Sequence, residues 1–115
     1  MEMRPDVLQL AGMMAALGHE ARLSIMRLLL SAHPDGLVAG AIQDELEIPA
    51  STLSHHLEGL RQARLVEQTR EGKFQRYRAQ ADSLRALINF LYAECCTRSR
   101  AVTPSSLTAI NPRHR

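Results

Sequence analysis

The 115-residue chain contains no tryptophan, and its two tyrosines and two phenylalanines make up only 3% of it. A core without large rings must be filled by Leu, Ile, Met and Ala, residue types that favour helices. Cysteine is almost missing as well. The only two, Cys95 and Cys96, are neighbours in "AECC" (93–96). A bridge between adjacent residues closes almost no loop and adds little stability, so a disulfide scaffold is excluded. No apolar run approaches the ~18 residues that a membrane span needs. The start, MEMRPD, is polar and unlike a secretory leader. These absences predict a cytoplasmic protein without membrane attachment, whose thiols stay reduced. There is also no phosphate-cradling Gly-rich loop, no CxxC and no convergent acid–base set. A thiol-dependent enzyme would need a low-pKa nucleophile with activating neighbours, so no enzyme is expected.

What is present is enough for one domain. Hydrophobic residues are 45% of the chain, which favours folding over disorder. The formal net charge is +2 and the pI about 8.8, a balance that permits nucleic-acid binding without requiring it. Composition shifts at Thr97 to Ser, Pro, Arg and Asn. A domain over residues 1–97 and a flexible tail over 98–115 are expected.

Apolar spacing predicts a first helix over about Asp6–Leu17 (Val7, Leu10, Ala11, Met14, Leu17), stopped by Gly18. A second, over Glu20–Ser31, is apolar nearly all round and reads as central and buried. "HPDG" (33–36) is a turn. A third helix over Val38–Leu46 is broken by "EIP" (47–49), and a fourth covers Ala50–Ala63. Two short helices joined by a tight turn form a helix-turn-helix pattern. Next, 65–70 and 73–79 read as strands around Glu71-Gly72. A last helix begins near Asp82 or Ser83 and reaches Cys96. The fold class is therefore mainly α with a β-hairpin: a winged helix-turn-helix with flanking dimerisation helices.

At about 100° per residue, the fourth helix sorts into two sides. Leu53, Leu57 and Leu60 turn inward. Ser51, His55 and Glu58 lie opposite, with Ser54 beside them. Ser51, Thr52, Ser54 and His55 sit near the helix start, where a recognition helix meets base edges in a major groove. His56 falls near the leucines and reads as a structural histidine. Neighbouring histidines diverge by about 100° on a helix, which argues against a metal there. Arg70, Lys73, Arg76 and Arg78 make the hairpin a basic wing, with the first three assigned to phosphate contact.

Taken together, "LGHEARLSIMRLLL" (17–30) and "LSHHLEGLRQARLVEQTREGKFQRYRA" (53–79) resemble the ArsR/SmtB family of metalloregulatory repressors. The resemblance implies a homodimer joined by the first and last helices, bound to double-stranded operator DNA without a cofactor and released by an inducer. The chain departs from the family pattern at four places. Glu47 and Arg64 stand where glycine is usual, Pro49 where serine is frequent, and Ala50 where glutamine is common. The family's cysteine cluster on the third helix has no counterpart in "GLVAGAIQ" (36–43), and its zinc site on the last helix lacks histidines here. "ECC" is similar to arsenic-responsive members, although their third cysteine is replaced by "TRSRAV" (97–102).

Trivalent arsenic and antimony are soft and favour thiolates. Arsenite has three sites to fill, whereas a mono-organic arsenical already carries one carbon and needs two thiolates. Zinc would want four ligands. Cys95 and Cys96 are thus read as the inducer site, for arsenite, antimonite or a trivalent organoarsenical. Leu84, Leu87, Ile88, Leu91 and Cys95 share one helical face, the expected dimer seam, and Cys96 points about 100° away. Two other readings stay open. The pair could form a strained disulfide and sense oxidation, or have no sensing role.

Overall fold

The computed structural model describes residues 5–98, and side chains from Val7 to Ala93. In chain order the elements are α1 (Pro5–Leu17), α2 (Glu20–Ser31), β1 (Leu37–Val38), α3 (Ala39–Leu46), α4 (Ala50–Gln62), β2 (Val66–Glu71), β3 (Phe74–Ala79) and α5 (Ala81–Arg98). Two compact units comprise residues Met1–Ser83 and Leu84–Arg115. The winged helix-turn-helix lies within the first.

Local chemistry accounts for the helix ends. Pro5 opens α1, a position where its missing N–H costs nothing. His19 caps α2 by accepting from the Ala21 N–H at its Nδ1, 3.2 Å away. The end of α4 is a Schellman motif: the Leu65 N–H reaches the Leu60 carbonyl and the Arg64 N–H reaches the Arg61 carbonyl, both at 2.9 Å. Its closing residue must be left-handed, and Arg64 takes φ 65°. Glu47 does the same after α3, at φ 54°, with its N–H on the Gln43 carbonyl. These are the two positions where the family pattern has glycine. L-residues fill both, and the left-handed backbone is kept.

The three strands form one antiparallel sheet in the order β1-β3-β2. β1 is a two-residue strand, too short for any alternation, and it pairs Leu37 with Tyr77 and Val38 with Arg76. The sequence reading placed Val38 in the third helix, which instead begins at Ala39. The hairpin turn is Gly72-Lys73, one residue beyond Glu71-Gly72, because Glu71 still pairs with Phe74. Gly72 has φ +62° at the first of the two loop positions, as a type II′ turn asks. Gly36, at φ +75°, is buried against β3, and a Cβ there would collide with the Tyr77 carbonyl oxygen.

The core is aliphatic, as the missing aromatics require. Met13, Ile25, Met26, Leu29, Ile42, Leu53, Leu57, Leu60, Leu65 and Val66 are almost fully enclosed. Each such side chain contributes roughly 1.5–3 kcal/mol of burial. Two expectations are corrected here. α2 is not buried all round: Ile25, Met26 and Leu29 face inward, while Leu23 and Leu30 are exposed. In α1 the buried side is Leu10, Met13 and Ala16, and Val7 and Met14 lie outside it. Counting apolar spacing alone picked a mixed stripe, because α1 carries apolar residues on two faces. On α5, Leu87 is buried, whereas Ile88 and Leu91 stay exposed.

Candidate nucleic-acid interface

The recognition face is built by α4. Leu53, Leu57 and Leu60 are at most 2% exposed and fix the helix's rotation. That rotation leaves Ser51, Thr52, Ser54, His55 and Glu58 all exposed. The first turn holds no carboxylate, and the cap residue Pro49 offers no side-chain acceptor. The positive end of the helix dipole and its unpaired N–H groups are therefore uncompensated, which suits an anionic partner. Further along, the Glu58 carboxylate is held by Arg61, at 2.7 and 3.0 Å, and by Gln62 at 3.0 Å. These donors lower its pKa. An ionised Glu58 on this face would oppose a phosphate, whereas the first two turns of α4 carry no acidic side chain.

The wing divides its basic residues by strand face. Arg76 is half-buried and committed to the protein. Its Nε donates to both oxygens of Glu71 at 3.0 Å, and its Nη1 reaches the carbonyls of Asp35 and Gly36 at 3.4 and 3.3 Å. Arg78 donates to the Thr69 hydroxyl at 3.0 Å. On the opposite face, Gln68 and Gln75 join at 3.0 Å, and Arg70 folds onto the Gly72 carbonyl at 3.1 Å. Lys73 stands exposed at the tip with Phe74 beside it, the latter 57% exposed. Of the three wing residues assigned to phosphate, Lys73 and Arg70 occupy the outer end of the hairpin, while Arg76 braces it. The exposed ring of Phe74 was overlooked in the sequence, because one aromatic at a strand end carries no pattern.

His56 is 6% exposed and accepts a hydrogen bond at Nδ1 from Arg22 Nε, 3.1 Å away. The His19 ring lies 4.5 Å from it and the His55 ring 5.6 Å, centroid to centroid. Burial, then the nearby His19, Arg22 and His55, push its pKa down. The structural assignment of His56 from its helical angle holds. Its partner Arg22, which lies 34 positions away, could not be read from local spacing.

Cys95 and Cys96 lie on α5, and their side chains fall outside the described residues. Among the described residues no cluster of three or more His, Cys, Asp or Glu could hold a metal ion. No helix there is long and apolar enough to cross a membrane.

Comparison with known proteins agrees with this geometry. A helix-turn-helix domain family matches residues 17–69. No curated protein matches the chain. Among solved structures, an ArsR-like transcriptional regulator from Rhodococcus is similar over 97% of this chain and 98% of its own, at 26% identity and a TM-score of 0.73. HlyU from Vibrio cholerae covers 82% of this chain and 99% of its own, at 29% identity and 0.65. A homodimeric winged helix-turn-helix DNA-binding domain from Mycobacterium bovis, a possible ArsR-family regulator, covers 90% of this chain and 95% of its own, at 27% identity and 0.64. The helix-turn-helix match and the winged helix-turn-helix neighbour agree with the fold and with an exposed α4.

Proposed function

We propose that the chain is a homodimeric transcriptional repressor that α4 and the wing seat on operator DNA, and that a trivalent arsenical bound to Cys95 and Cys96 releases it. The observation that carries the DNA reading is the sorted α4: three buried leucines on one side, and Ser51, Thr52, Ser54 and His55 in the open near an uncompensated N-terminus. α4 supplies base-edge donors and acceptors, and Arg70 and Lys73 supply backbone charge. The exposed apolar side chains of α1 (Val7, Leu8, Met14) and α5 (Ile88, Leu91) support a dimer made through the first and last helices. The inducer reading rests on the vicinal thiols in the sequence and on arsenic's preference for thiolate. Two thiolates satisfy a mono-organic arsenical outright.

The test is fluorescence anisotropy on DNA from the chain's own promoter, titrated with arsenite, methylarsenite, zinc and peroxide, for wild type, Cys95→Ser and Cys96→Ser. Release of wild type alone by an arsenical supports the reading. DNA binding that ignores arsenicals but falls with peroxide moves the pair to redox sensing. Absence of salt-dependent DNA binding overturns the repressor reading.

A further inference from the structure

The contact between α2 and α4 has an unusual composition. Arg22 of α2 donates from Nε to His56 Nδ1, and its guanidinium also lies flat over Gly59, one turn further along α4. A Cβ at Gly59 would fall 2.5 Å from Arg22 Cζ and 2.6 Å from both terminal nitrogens. The missing side chain at 59 is thus the space that the guanidinium occupies. Every charged or titratable group acting on the His56 ring is cationic or can become so: Arg22 on α2, His19 at its cap and His55 on α4 itself. α1 brings only Gly12, Ala15 and Ala16 to the adjoining cleft, and Glu58 is turned to Arg61 and Gln62. Both His56 and His19 accept at Nδ1, and each can do so only while that nitrogen is unprotonated.

We propose that Arg22 is the positioning residue of the recognition helix, holding α4 on α2 through neutral His56 and bare Gly59, so that protonation of His56 loosens the presentation of Ser51, Ser54 and His55 to DNA. A proton on Nδ1 removes the acceptor and sets a second cation against the guanidinium. Among the described residues no carboxylate pairs with Arg22 or His56, and the nearby Glu58 is held by Arg61 and Gln62, so the junction opens. The inference rests on the proposed DNA binding, but the junction itself is readable without DNA.

The test has two arms on the full chain, with the wild-type protein as the reference. In the first, nuclear magnetic resonance follows the histidine ring nitrogens and the amides of 51–55 from about pH 7.5 to about pH 5.5. Those amides should move with the His56 titration, stay still in His56→Gln, and at neutral pH already be displaced in Gly59→Ala, where Arg22 is pushed aside. In the second, promoter DNA affinity should fall about tenfold over the same range in the reference protein, and His56→Gln should flatten that fall. Arg22→Lys, which keeps the charge but lacks the planar fork, should weaken DNA at every pH. Amides of 51–55 that ignore the His56 titration would overturn the proposal, as would a DNA-affinity profile unchanged by His56→Gln. Moving amides with no DNA binding at any pH would leave the junction standing and refute the repressor reading.

Discussion

Replacing Glu47 by glycine should stabilise the protein, and replacing Arg64 by glycine should not, although both residues are left-handed. Glu47 sits at φ 54° and Arg64 at φ 65°. An L-residue pays roughly 1–2 kcal/mol in that region. Glycine removes the strain but loses about 0.5–1 kcal/mol through its freer unfolded chain. The two then separate by charge. Glu47 places a carboxylate at the negative end of α3, whereas Arg64 places a guanidinium at the negative end of α4. Such end charges are worth about 0.3–1 kcal/mol, unfavourable for the first and favourable for the second. Glu47→Gly should therefore gain about 1 kcal/mol, a rise of roughly 4–8 °C in Tm, and Arg64→Gly should come out near zero. Thermal melts followed by circular dichroism at low and high salt would check this. Salt should screen the dipole part, so Arg64→Gly becomes the better variant at high salt than at low. Glu47→Asn should fall between Gly and Glu, and Glu47→Val below wild type. A drop in Tm for Glu47→Gly, or a Val variant as stable as wild type, would refute the reasoning.

Gly36→Ala combines a left-handed backbone with a collision against the Tyr77 carbonyl, and should cost about 3 kcal/mol in a denaturant titration, since neither partner can yield cheaply. Leu60→Ala should cost about 2–5 kcal/mol by the same measurement, because the side chain is fully enclosed. Glu71→Gln should barely change stability, as half-exposed ion pairs are weak, but should free Arg76 and steepen the salt dependence of DNA binding by about one phosphate's worth; an unchanged slope would keep Arg76 as a brace only. Since the folded pKa of His56 is lowered, the unfolded chain binds the extra proton first. Stability should be full above the ordinary histidine value of 6.5 and decline as pH falls below it, and His56→Gln should remove that decline.

Much of this architecture was legible in the sequence, for reasons that differ from element to element. The helix-turn-helix could be read because Leu53, Leu57 and Leu60 repeat at helical spacing and "EIP" cannot continue a helix, and the structure buries those leucines. The exposure of Ser51, Ser54 and His55 followed from the same angle. β1 escaped because two residues have no period, and its pairing with Tyr77 and Arg76 is a contact across some forty positions. The role of Arg76 escaped for the same reason: a basic residue in a wing looks alike whether it faces phosphate or a carbonyl at Asp35. α1 misled because its apolar residues cover two faces, only one of which meets this chain's own core. The partners of His56 lie on another helix, beyond the reach of local spacing.

The exposed tip of the wing has a practical consequence. Lys73 is the only lysine in the chain, against thirteen arginines. An amine-reactive dye or crosslinker therefore meets a single side-chain target, placed by the Gly72-Lys73 turn at the far end of the hairpin. A wild-type protein labelled there, without any substitution, carries a reporter at the wing tip, and because acylation removes the Lys73 charge the same label also tests whether that charge matters to the proposed DNA binding.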